Sequence, residues 1–443
     1  MKHKKIVVLL LLGFCLILGF WMRIVSNRET IVPGPIRADA ADYYFYAYNL
    51  RHNHTYSRHT PPSGQPSSEM KPDALRTPGY PIFLLPFVNS FPTARIIHRI
   101  VFFQALISTL AILVAFAGFR RMLPDQYCII ACGLMAISPH LITANLYILT
   151  ESLFGFIIVL CVWNITKFFK TLSMKCLWIA SILMGIGILV RPSLQFFPIF
   201  LTPFWIWHYG KLKGFHFFAI TVLGIALVLM PWYIRNIISL GKISDDTLKL
   251  SSIQHGIYPN FTYNNLPESY GFPYRFDPKT KEISRSTKTL LQEIYRRFQD
   301  EPMKHAKWFF YQKMIAFWSW DSVPGTDVFI YPVKNSPYFH RPIFIATHKL
   351  MHFLHWPLNL FCFTGCFLIW LPMKRDVISY ESIQIARFIS VILIYYTLLH
   401  MICAPFPRYS VPLRPLTYGM AVFLIFFSLQ LFKKRNRRFS EQK

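Results

Sequence analysis

Apolar segments of near-bilayer length recur along this 443-residue chain and constrain its fold more than any other feature. About 20 apolar residues in an α-helix cross the hydrocarbon core of a bilayer, where backbone N–H and C=O groups must be paired within the protein. The chain has about ten such segments: 6–22, 96–119, 125–142, 147–168, 176–191, 194–209, 215–234, 355–373, 386–403 and 412–432. We therefore predict an all-α polytopic membrane protein with about ten transmembrane helices, interfacial helices in the first outer loop and one larger extracytoplasmic insertion.

The charge of the chain is strongly positive, with 47 Lys and Arg against 20 Asp and Glu. Such a balance is typical of nucleic-acid-binding proteins, but 53% of the residues are hydrophobic and no soluble basic domain is available, so we expect no nucleic-acid partner. The basic residues instead favour cytoplasmic connections and contacts with membrane lipids. They include Arg120 and Arg121, Lys167, Lys170 and Lys175, Lys211 and Lys213, Lys374 and Arg375, and the tail at 433–438. This pattern predicts an integral protein of the inner (cytoplasmic) membrane with both termini in the cytoplasm.

The alternation of apolar and polar segments divides the chain into three regions. Residues 1–235 are predicted to form a transmembrane region that carries the candidate catalytic residues, with a first outer loop at 23–95. Residues 236–355 are predicted to form an extracytoplasmic region, in which the apolar spacing over 286–300 indicates an amphipathic helix. Residues 356–443 are predicted to form the C-terminal transmembrane helices and a basic cytoplasmic tail.

Two carboxylates lie three residues apart in the first outer loop, in a chain that is poor in acids. Helical spacing from Asp39 onward predicts that Asp39, Asp42, Tyr43 and Tyr46 share one face of a helix close to the membrane. Carboxylates beside aromatic rings suit base catalysis on a sugar. The alternative is that Asp39 is an acidic cap on an interfacial helix with an aromatic belt.

Further charged residues fall on the same predicted outer side. Charges close to the hydrocarbon boundary are costly unless they are paired or functional, so their co-location predicts a site. The residues are Arg76 beside Pro78, Tyr80 and Pro81, Glu151, Arg191, Arg235 beside Trp232, and Arg408 beside Tyr409. The alternative to a site is that the arginines anchor the chain at the interface by extending to the head groups. A Pro- and Ser-rich segment, 57–74, joins the acids to Arg76 and is predicted to be a mobile loop.

Seven stretches, in this order along the chain, resemble one family. They are Asp39-x-x-x-Tyr43 with Ala47-x-Asn49-Leu50, Arg76-Thr-Pro-Gly-Tyr-Pro81, Ser138-Pro139 with Thr150-Glu151, Gly185 to Arg191-Pro192, Pro231-Trp232 to Arg235-Asn236, Asp300-Glu-Pro302 with Lys313 and Trp318, and Arg408-Tyr409 to Pro412. The chain thereby resembles the membrane glycosyltransferases of the GT-C fold, from about residue 39 to 412. The nearest branch uses polyprenyl-phosphate sugars and includes protein O-mannosyltransferases and aminoarabinose lipid A transferases.

The resemblance implies an enzyme that moves a sugar from a polyprenyl-phosphate donor to a hydroxyl or phosphate of a cell-envelope acceptor, which is a lipid, a glycan or a protein. The active site would be extracytoplasmic and the reaction would invert the anomeric carbon. Asp39 occupies the position of the family's catalytic base, and Asp42 is an additional acid. The other roles it implies are phosphate binding by Arg76, Arg191, Arg235 and Arg408, and a substrate pocket formed by Tyr43, Tyr46, Tyr80, Glu151, Trp232 and Tyr409.

A divalent metal is the one cofactor that the resemblance leaves open. The aminoarabinose branch has an acid before the cation of the proline motif, and here that residue is Leu75. Substitute ligands would be Glu151 or three histidines of the first loop, His52, His54 and His59. A second trio, His348, His352 and His355, has helical spacing, but without an accompanying acid we interpret it as interfacial and solvated.

Two other functions stay open. A lipid or small-molecule transporter usually has its binding site near the bilayer midplane, and this sequence has no charge at mid-span and no inverted repeat. A non-catalytic membrane scaffold that retains the fold is the third reading. It differs from an enzyme in that loss of the Asp39 carboxylate would leave its function intact.

Overall fold

A computed structural model of the chain describes residues 2–59, 70–372 and 378–441. The described residues form helices joined by turns, and their one β-type pairing is an isolated bridge between Ile31 and Asn335. The α-helices are α1 (Lys2–Glu29), α2 (Asp39–His52), α3 (Gly79–Leu84), α4 (Ala94–Phe119), α5 (Asp125–Ile137), α6 (Pro139–Thr143), α7 (Glu151–Thr171), α8 (Met174–Val190), α9 (Phe197–Leu240), α10 (Thr247–Gly256), α11 (Thr280–Ile283), α12 (Thr287–Asp300), α13 (Pro302–Lys307), α14 (Lys313–Phe317), α15 (Pro337–His340), α16 (Pro342–Leu368), α17 (Tyr380–Ile402) and α18 (Arg414–Glu441). The prediction of an all-α protein is confirmed.

Within the described ranges, six helices are long and apolar enough to cross a membrane, or seven if the bent pair at α5 and α6 counts as one span. The six are His3–Glu29, Ala94–Phe119, Glu151–Thr171, Lys211–Leu240, Tyr380–Ile402 and Pro407–Lys434. The prediction of a multi-pass membrane protein is confirmed, whereas the predicted count of about ten spans is not.

Local breaks in the helices account for the difference in count. Gly210, with a φ of 78°, interrupts α9, so the predicted spans 194–209 and 215–234 lie in one kinked element. α5 and α6 meet at an angle of 53° at Pro139, whose nitrogen has no hydrogen to continue the helix. α8 is only 17 residues long. α16 has 27 residues, but it contains three histidines and is not among the six apolar helices. Lys374 and Arg375, predicted in a cytoplasmic connection, lie outside the described residues.

Close helix packing brings the proline motif of the first loop against the end of α8. A Cβ atom on Gly224 of α9 would lie 2.5 Å from the Cβ of Ser181 on α8, so these helices cross without room for a larger side chain. A Cβ atom on Gly79 would lie 2.6 Å from the carbonyl carbon of Leu189. α3 therefore starts directly against the last turn of α8, and this contact holds residues 76–81 near Arg191.

The chain between α9 and α16 forms a helical insertion with a small core of its own, made by Ile257, Tyr258, Ile283 and Leu290. α12 is the amphipathic helix that the apolar spacing predicted. It begins after Ser286, whose hydroxyl accepts the backbone N–H of Thr289 in a capping box.

The charged side chains divide between the two ends of the bundle. The end that carries Glu29, Asp39 and Arg408 is called the site end below, and the end that carries Arg120 and Lys213 is called the basic end. α1 ends and α4 begins at the site end, because the Asn27 side chain at the end of α1 donates to the Val101 carbonyl of α4 at 2.9 Å.

Candidate active site

Asp39 is the first residue of α2 and lies between two guanidinium groups. Its Oδ1 is 2.7 Å from Nη2 of Arg76, and its Oδ2 is 2.7 Å from Nη2 of Arg408. A carboxylate in the first turn of a helix is also favoured by the positive end of the helix dipole. Residues from the first loop and from the segment before α18 therefore meet on one carboxylate.

Asp42, one turn later, binds the same arginine. The Oδ2 of Asp42 is 3.0 Å from Nη2 and 3.1 Å from Nε of Arg76. The backbone of Arg76 is fixed as well, because the Tyr56 hydroxyl donates to its carbonyl at 3.0 Å. Both predicted acids therefore bind the guanidinium of Arg76, and a hydrogen bond from Tyr56 holds the main chain of Arg76 in place.

The two arginines change the acidity of Asp39. Burial by itself raises the pKa of its carboxyl, but the charges of Arg408 and Arg76 outweigh burial and hold the pKa well below its usual range. For Arg76 the directions are opposite. Burial by itself lowers the pKa of its guanidinium, but Tyr43, Asp39 and Asp42 raise it by more, so the net pKa is above its usual value. Asp39 is consequently ionised, and as long as both arginines bind it, it is a weak base.

Aromatic side chains form one wall of this cluster. The Arg76 guanidinium lies 5.4 Å from the ring centre of Tyr43, whose ring meets that of Tyr80 edge to face at 5.0 Å. The Tyr80 hydroxyl donates to Gln104 Oε1 at 2.6 Å, and the Gln104 amide in turn donates to backbone carbonyls of the segment before α7, including that of Tyr147. The wall is therefore tied to α4 and is not a mobile surface.

Arg191 and Glu151 lie at the other side of the cluster. Nη1 of Arg191 is 3.5 Å from Oε1 of Glu151, and its guanidinium lies 4.5 Å from the ring centre of Tyr409. The same ring is 5.1 Å from the guanidinium of Arg408. Glu151 is only 3% exposed, and no described residue forms a hydrogen bond with its buried Oε2. A buried carboxylate oxygen without a partner is costly, which distinguishes Glu151 from the paired acids Asp39 and Asp42.

Arg235, Trp232 and Tyr46 form an adjoining group around Tyr56. Arg235 donates to the backbone carbonyls of Asp73 at 2.9 Å and Tyr56 at 3.0 Å. Tyr46 stacks on Tyr56 at 4.2 Å and Trp232 meets it edge on at 5.0 Å. These three predicted site residues hold the loop that carries Arg76, rather than lying against Asp39. Beside them is a cavity of about 500 Å³, lined largely by apolar residues of the first loop, α8 and α9.

Sequence reasoning missed several residues around Asp39. The guanidinium of Arg37 lies 4.5 Å from the ring centre of Tyr331, whose hydroxyl donates to the Arg37 carbonyl at 3.4 Å. Asp73, which accepts a hydrogen bond from Tyr46, was also not singled out. Asp73 could have been found as an acid beside the proline motif, whereas Tyr331 lies in the distant insertion and carries no local signal.

The histidines do not support a metal site. In the part of the chain that the structure describes, no group of three His, Cys, Asp or Glu side chains could hold a metal ion. The prediction of solvated histidines without an acid is wrong for His348, which lies 2.8 Å from Oδ2 of Asp327. It is also wrong for His355, which is buried and bonded to the Trp318 carbonyl at 2.8 Å. Because Asp39 and Asp42 already bind arginines and Leu75 replaces the acid, the residues present do not fit the metal of the aminoarabinose branch.

Comparisons with known proteins agree with the arrangement of the helices. Residues 94–234 match the family model of dolichyl-phosphate-mannose-protein mannosyltransferases. The archaeal oligosaccharyltransferase AglB from Archaeoglobus fulgidus, in complex with an inhibitory peptide and a dolichol-phosphate, aligns with a TM-score of 0.53 at 14% identity, over 99% of this chain and 52% of that one. A second structure of the Archaeoglobus fulgidus oligosaccharyltransferase, tethered with an acceptor peptide, gives 0.52 at 14% identity, over 97% and 51%.

One further structure and a search of curated proteins do not identify a branch of the family. ArnT from Cupriavidus metallidurans, bound to undecaprenyl phosphate, aligns with a TM-score of 0.41 at 11% identity, over 96% of this chain and 76% of that one, which is too weak to assign a branch. A search of curated proteins found no match. The chain spans about half the length of the archaeal structures it matches.

The resemblance that the ordered motifs predicted is confirmed at the level of the fold: this chain has the GT-C fold of membrane glycosyltransferases, and its residues 94–234 match the model of the dolichyl-phosphate-mannose-protein mannosyltransferase family.

Proposed function

We propose that this protein transfers a sugar from a polyprenyl-phosphate donor to a hydroxyl or phosphate of a cell-envelope acceptor, with inversion at the anomeric carbon. The observation that supports this most is the position of Asp39 between Arg76 and Arg408, inside a GT-C fold. One carboxylate and two arginines are the groups needed to take a proton from an acceptor and to hold a phosphate.

The chemistry would proceed as a single displacement. An acceptor oxygen attacks the anomeric carbon while the bond from that carbon to the phosphate oxygen breaks. The acceptor proton goes to Asp39, and the negative charge on the departing polyprenyl phosphate is stabilised by Arg76 and Arg408. When a donor phosphate shares these arginines, they lower the pKa of Asp39 less than they do in its absence, so donor binding would make this carboxylate a better base.

The apolar cavity beside Arg235 and Trp232 supports a place for the prenyl chain. It lies between the first loop and the helices α8 and α9, and its lining includes Leu189 and Val228. A prenyl chain in the bilayer is already out of water, so such a surface would stabilise it by van der Waals packing. A donor lying there would direct its phosphate from the membrane side toward Arg76.

We propose that the site end faces the extracytoplasmic side. The described basic residues of the short connections, such as Arg120 and Lys213, lie at the opposite end, as the positive-inside rule requires. Glu268 of the insertion and Lys213 of the basic end are both exposed, so single cysteines at these positions test the orientation. A membrane-impermeant maleimide applied to intact cells should label Glu268→Cys and leave Lys213→Cys unlabelled until the cells are permeabilised. Labelling with the reverse pattern would contradict the orientation.

The activity is tested with purified protein and a panel of polyprenyl-phosphate sugars. We expect one or a few donors to release polyprenyl phosphate in the presence of an envelope extract as acceptor, and the released lipid is measured by mass spectrometry. An Asp39→Asn protein that is folded but releases none provides the matched control. Donor binding without release from any sugar of the panel, in both proteins, would favour a transporter or scaffold.

A further inference from the structure

A basic and aromatic groove lies on α4, close to its first residue and outside the candidate active site. Arg95, His98, Arg99, Phe102 and Phe103 line an open groove of about 520 Å³, called the α4 groove below. Residues three and four apart share one side of a helix, so the cations lie about one turn from the two rings. All five side chains are exposed.

The apolar floor of the α4 groove is held in place by other rings. Phe102 meets Phe20 of α1 edge on at 6.2 Å, and Phe103 lies 5.0 Å from Phe87 of the first loop. Both rings remain more than 40% exposed. The groove therefore has a preformed floor that presents hydrocarbon toward the lipid side of the bundle.

The cations of the groove have no acidic partner. Among the described residues, no salt bridge or side-chain hydrogen bond involves Arg95, His98 or Arg99, and Glu29 at the neighbouring end of α1 is bonded to Arg341. On the orientation proposed above, this is the extracytoplasmic end of α4, opposite Arg120. Arg76 and Arg408 at the same end bind Asp39, whereas the described residues offer these cations no carboxylate. An unpaired basic cluster at this end calls for an anionic occupant.

We propose that the α4 groove docks an anionic phospholipid from the leaflet at the site end. Arg95 and Arg99 bind the phosphate, His98 donates to it, and an acyl chain lies on Phe102 and Phe103. Arginine suits phosphate because its planar fork donates two parallel hydrogen bonds. The rise of about 1.5 Å per residue puts Phe103 about 6 Å below Arg99, which is the relation of acyl chain to head group in a bilayer.

Photocrosslinking in nanodiscs of equimolar phosphatidylglycerol and phosphatidylcholine tests this proposal. The photoreactive residue p-benzoylphenylalanine replaces Phe103, which preserves the aromatic floor, and the lipid adducts are counted by intact mass spectrometry. The control places the same residue at Leu113, which is 41% exposed on α4 but outside the groove. We expect the ratio of phosphatidylglycerol to phosphatidylcholine adducts to be about fivefold higher at 103 than at 113, a preference of the size expected for each basic residue near a lipid head group.

Charge variants identify the groups responsible. Arg95→Gln/Arg99→Gln should reduce the ratio at 103 to the value at 113, whereas Arg120→Gln/Arg121→Gln at the basic end should leave it unchanged. The proposal would be overturned if the ratio of phosphatidylglycerol to phosphatidylcholine adducts were equal at 103 and 113 in the protein with both arginines present. It would also be overturned if the higher ratio at 103 persisted in Arg95→Gln/Arg99→Gln. The readout is lipid contact, so it does not depend on the proposed transfer activity.

Discussion

Two arginine–carboxylate clusters in this protein differ in how completely their charges are paired. In the insertion, Arg297 lies 2.7 Å from Glu293 and 3.3 Å from Asp277, and Asp277 also accepts the Tyr258 hydroxyl at 2.7 Å and the Lys279 N–H at 2.8 Å. These partners are all close in sequence. The cluster is saturated, which is the arrangement expected of a structural network.

The cluster around Asp39 is built differently. Its partners Arg76 and Arg408 come from other parts of the chain, and Arg408 is 369 positions from Asp39. Glu151 nearby keeps one buried oxygen that no described residue binds. A network that is assembled by the tertiary fold and left incomplete can exchange its internal bonds for bonds to a ligand. The predictions below test whether this difference separates a functional cluster from a structural one.

The largest effect is expected from Asp39. Loss of a general base costs about a hundred- to ten-thousand-fold in rate, so Asp39→Asn should reduce transfer by that factor with donor binding nearly intact. Asp42→Asn is the matched control, because Asp42 binds Arg76 whereas Asp39 binds both Arg76 and Arg408. This variant should retain measurable transfer. Rates are measured as release of polyprenyl phosphate. If Asp42→Asn is inactive and Asp39→Asn turns over normally, the two roles are reversed.

The second-largest effect is expected from Arg76, on the affinity for the donor. A charged hydrogen bond contributes about 1.5–3 kcal/mol, so Arg76→Ala should weaken donor binding about ten- to a hundredfold. Arg76→Lys keeps the charge but loses the fork, and its loss should be smaller. Binding of a polyprenyl phosphate is measured by competition with a fluorescent analogue. Wild-type affinity in both variants would exclude Arg76 as a phosphate ligand.

The saturated cluster should respond in stability and not in chemistry. Arg297→Ala leaves Asp277 buried without its cation and should lower the free energy of local unfolding by roughly 2 kcal/mol or more. Arg296→Ala removes an arginine of the same helix whose side chain is 53% exposed, and should cost about 1 kcal/mol or less. Hydrogen exchange of α12 measures both. Similar exchange rates in the two variants would show that the pairing at Asp277 does not stabilise the insertion.

A smaller, ligand-dependent effect is expected in the loop between the two acids and Arg76. If donor binding orders the predicted loop at 57–74, trypsin cleavage at the exposed residues Arg58 and Lys71 should slow several-fold when donor is added. The residues between them, 60–69, lie outside the described part of the chain. Cleavage at Lys281, exposed in the insertion, provides the internal control. Equal rates at all three sites with and without donor would argue against a lid.

The sequence was sufficient where the signal is local. The first residue of α2, the amphipathic α12 and the all-α membrane fold follow from helical spacing and long apolar segments. The alternative that Asp39 caps α2 is wrong, because the N-cap residue is Ala38 and its side chain forms no cap bond. The order of short motifs also predicted the GT-C fold. The number of spans did not follow, because breaks such as that at Gly210 and short helices such as α8 depend on packing rather than on mean hydropathy.

The tertiary structure decided which of the predicted charges meet. Sequence position assigned phosphate binding to Arg76 first and to Arg191, Arg235 and Arg408 as further candidates. In the folded chain Arg76 and Arg408 bind Asp39, whereas Arg235 donates to backbone carbonyls of the loop. The sequence by itself determined that helices would form and that charges would collect at one end of them, since both depend on residues within a few turns. Which side chains pair across hundreds of residues depends on helix packing, and only the folded chain specifies it.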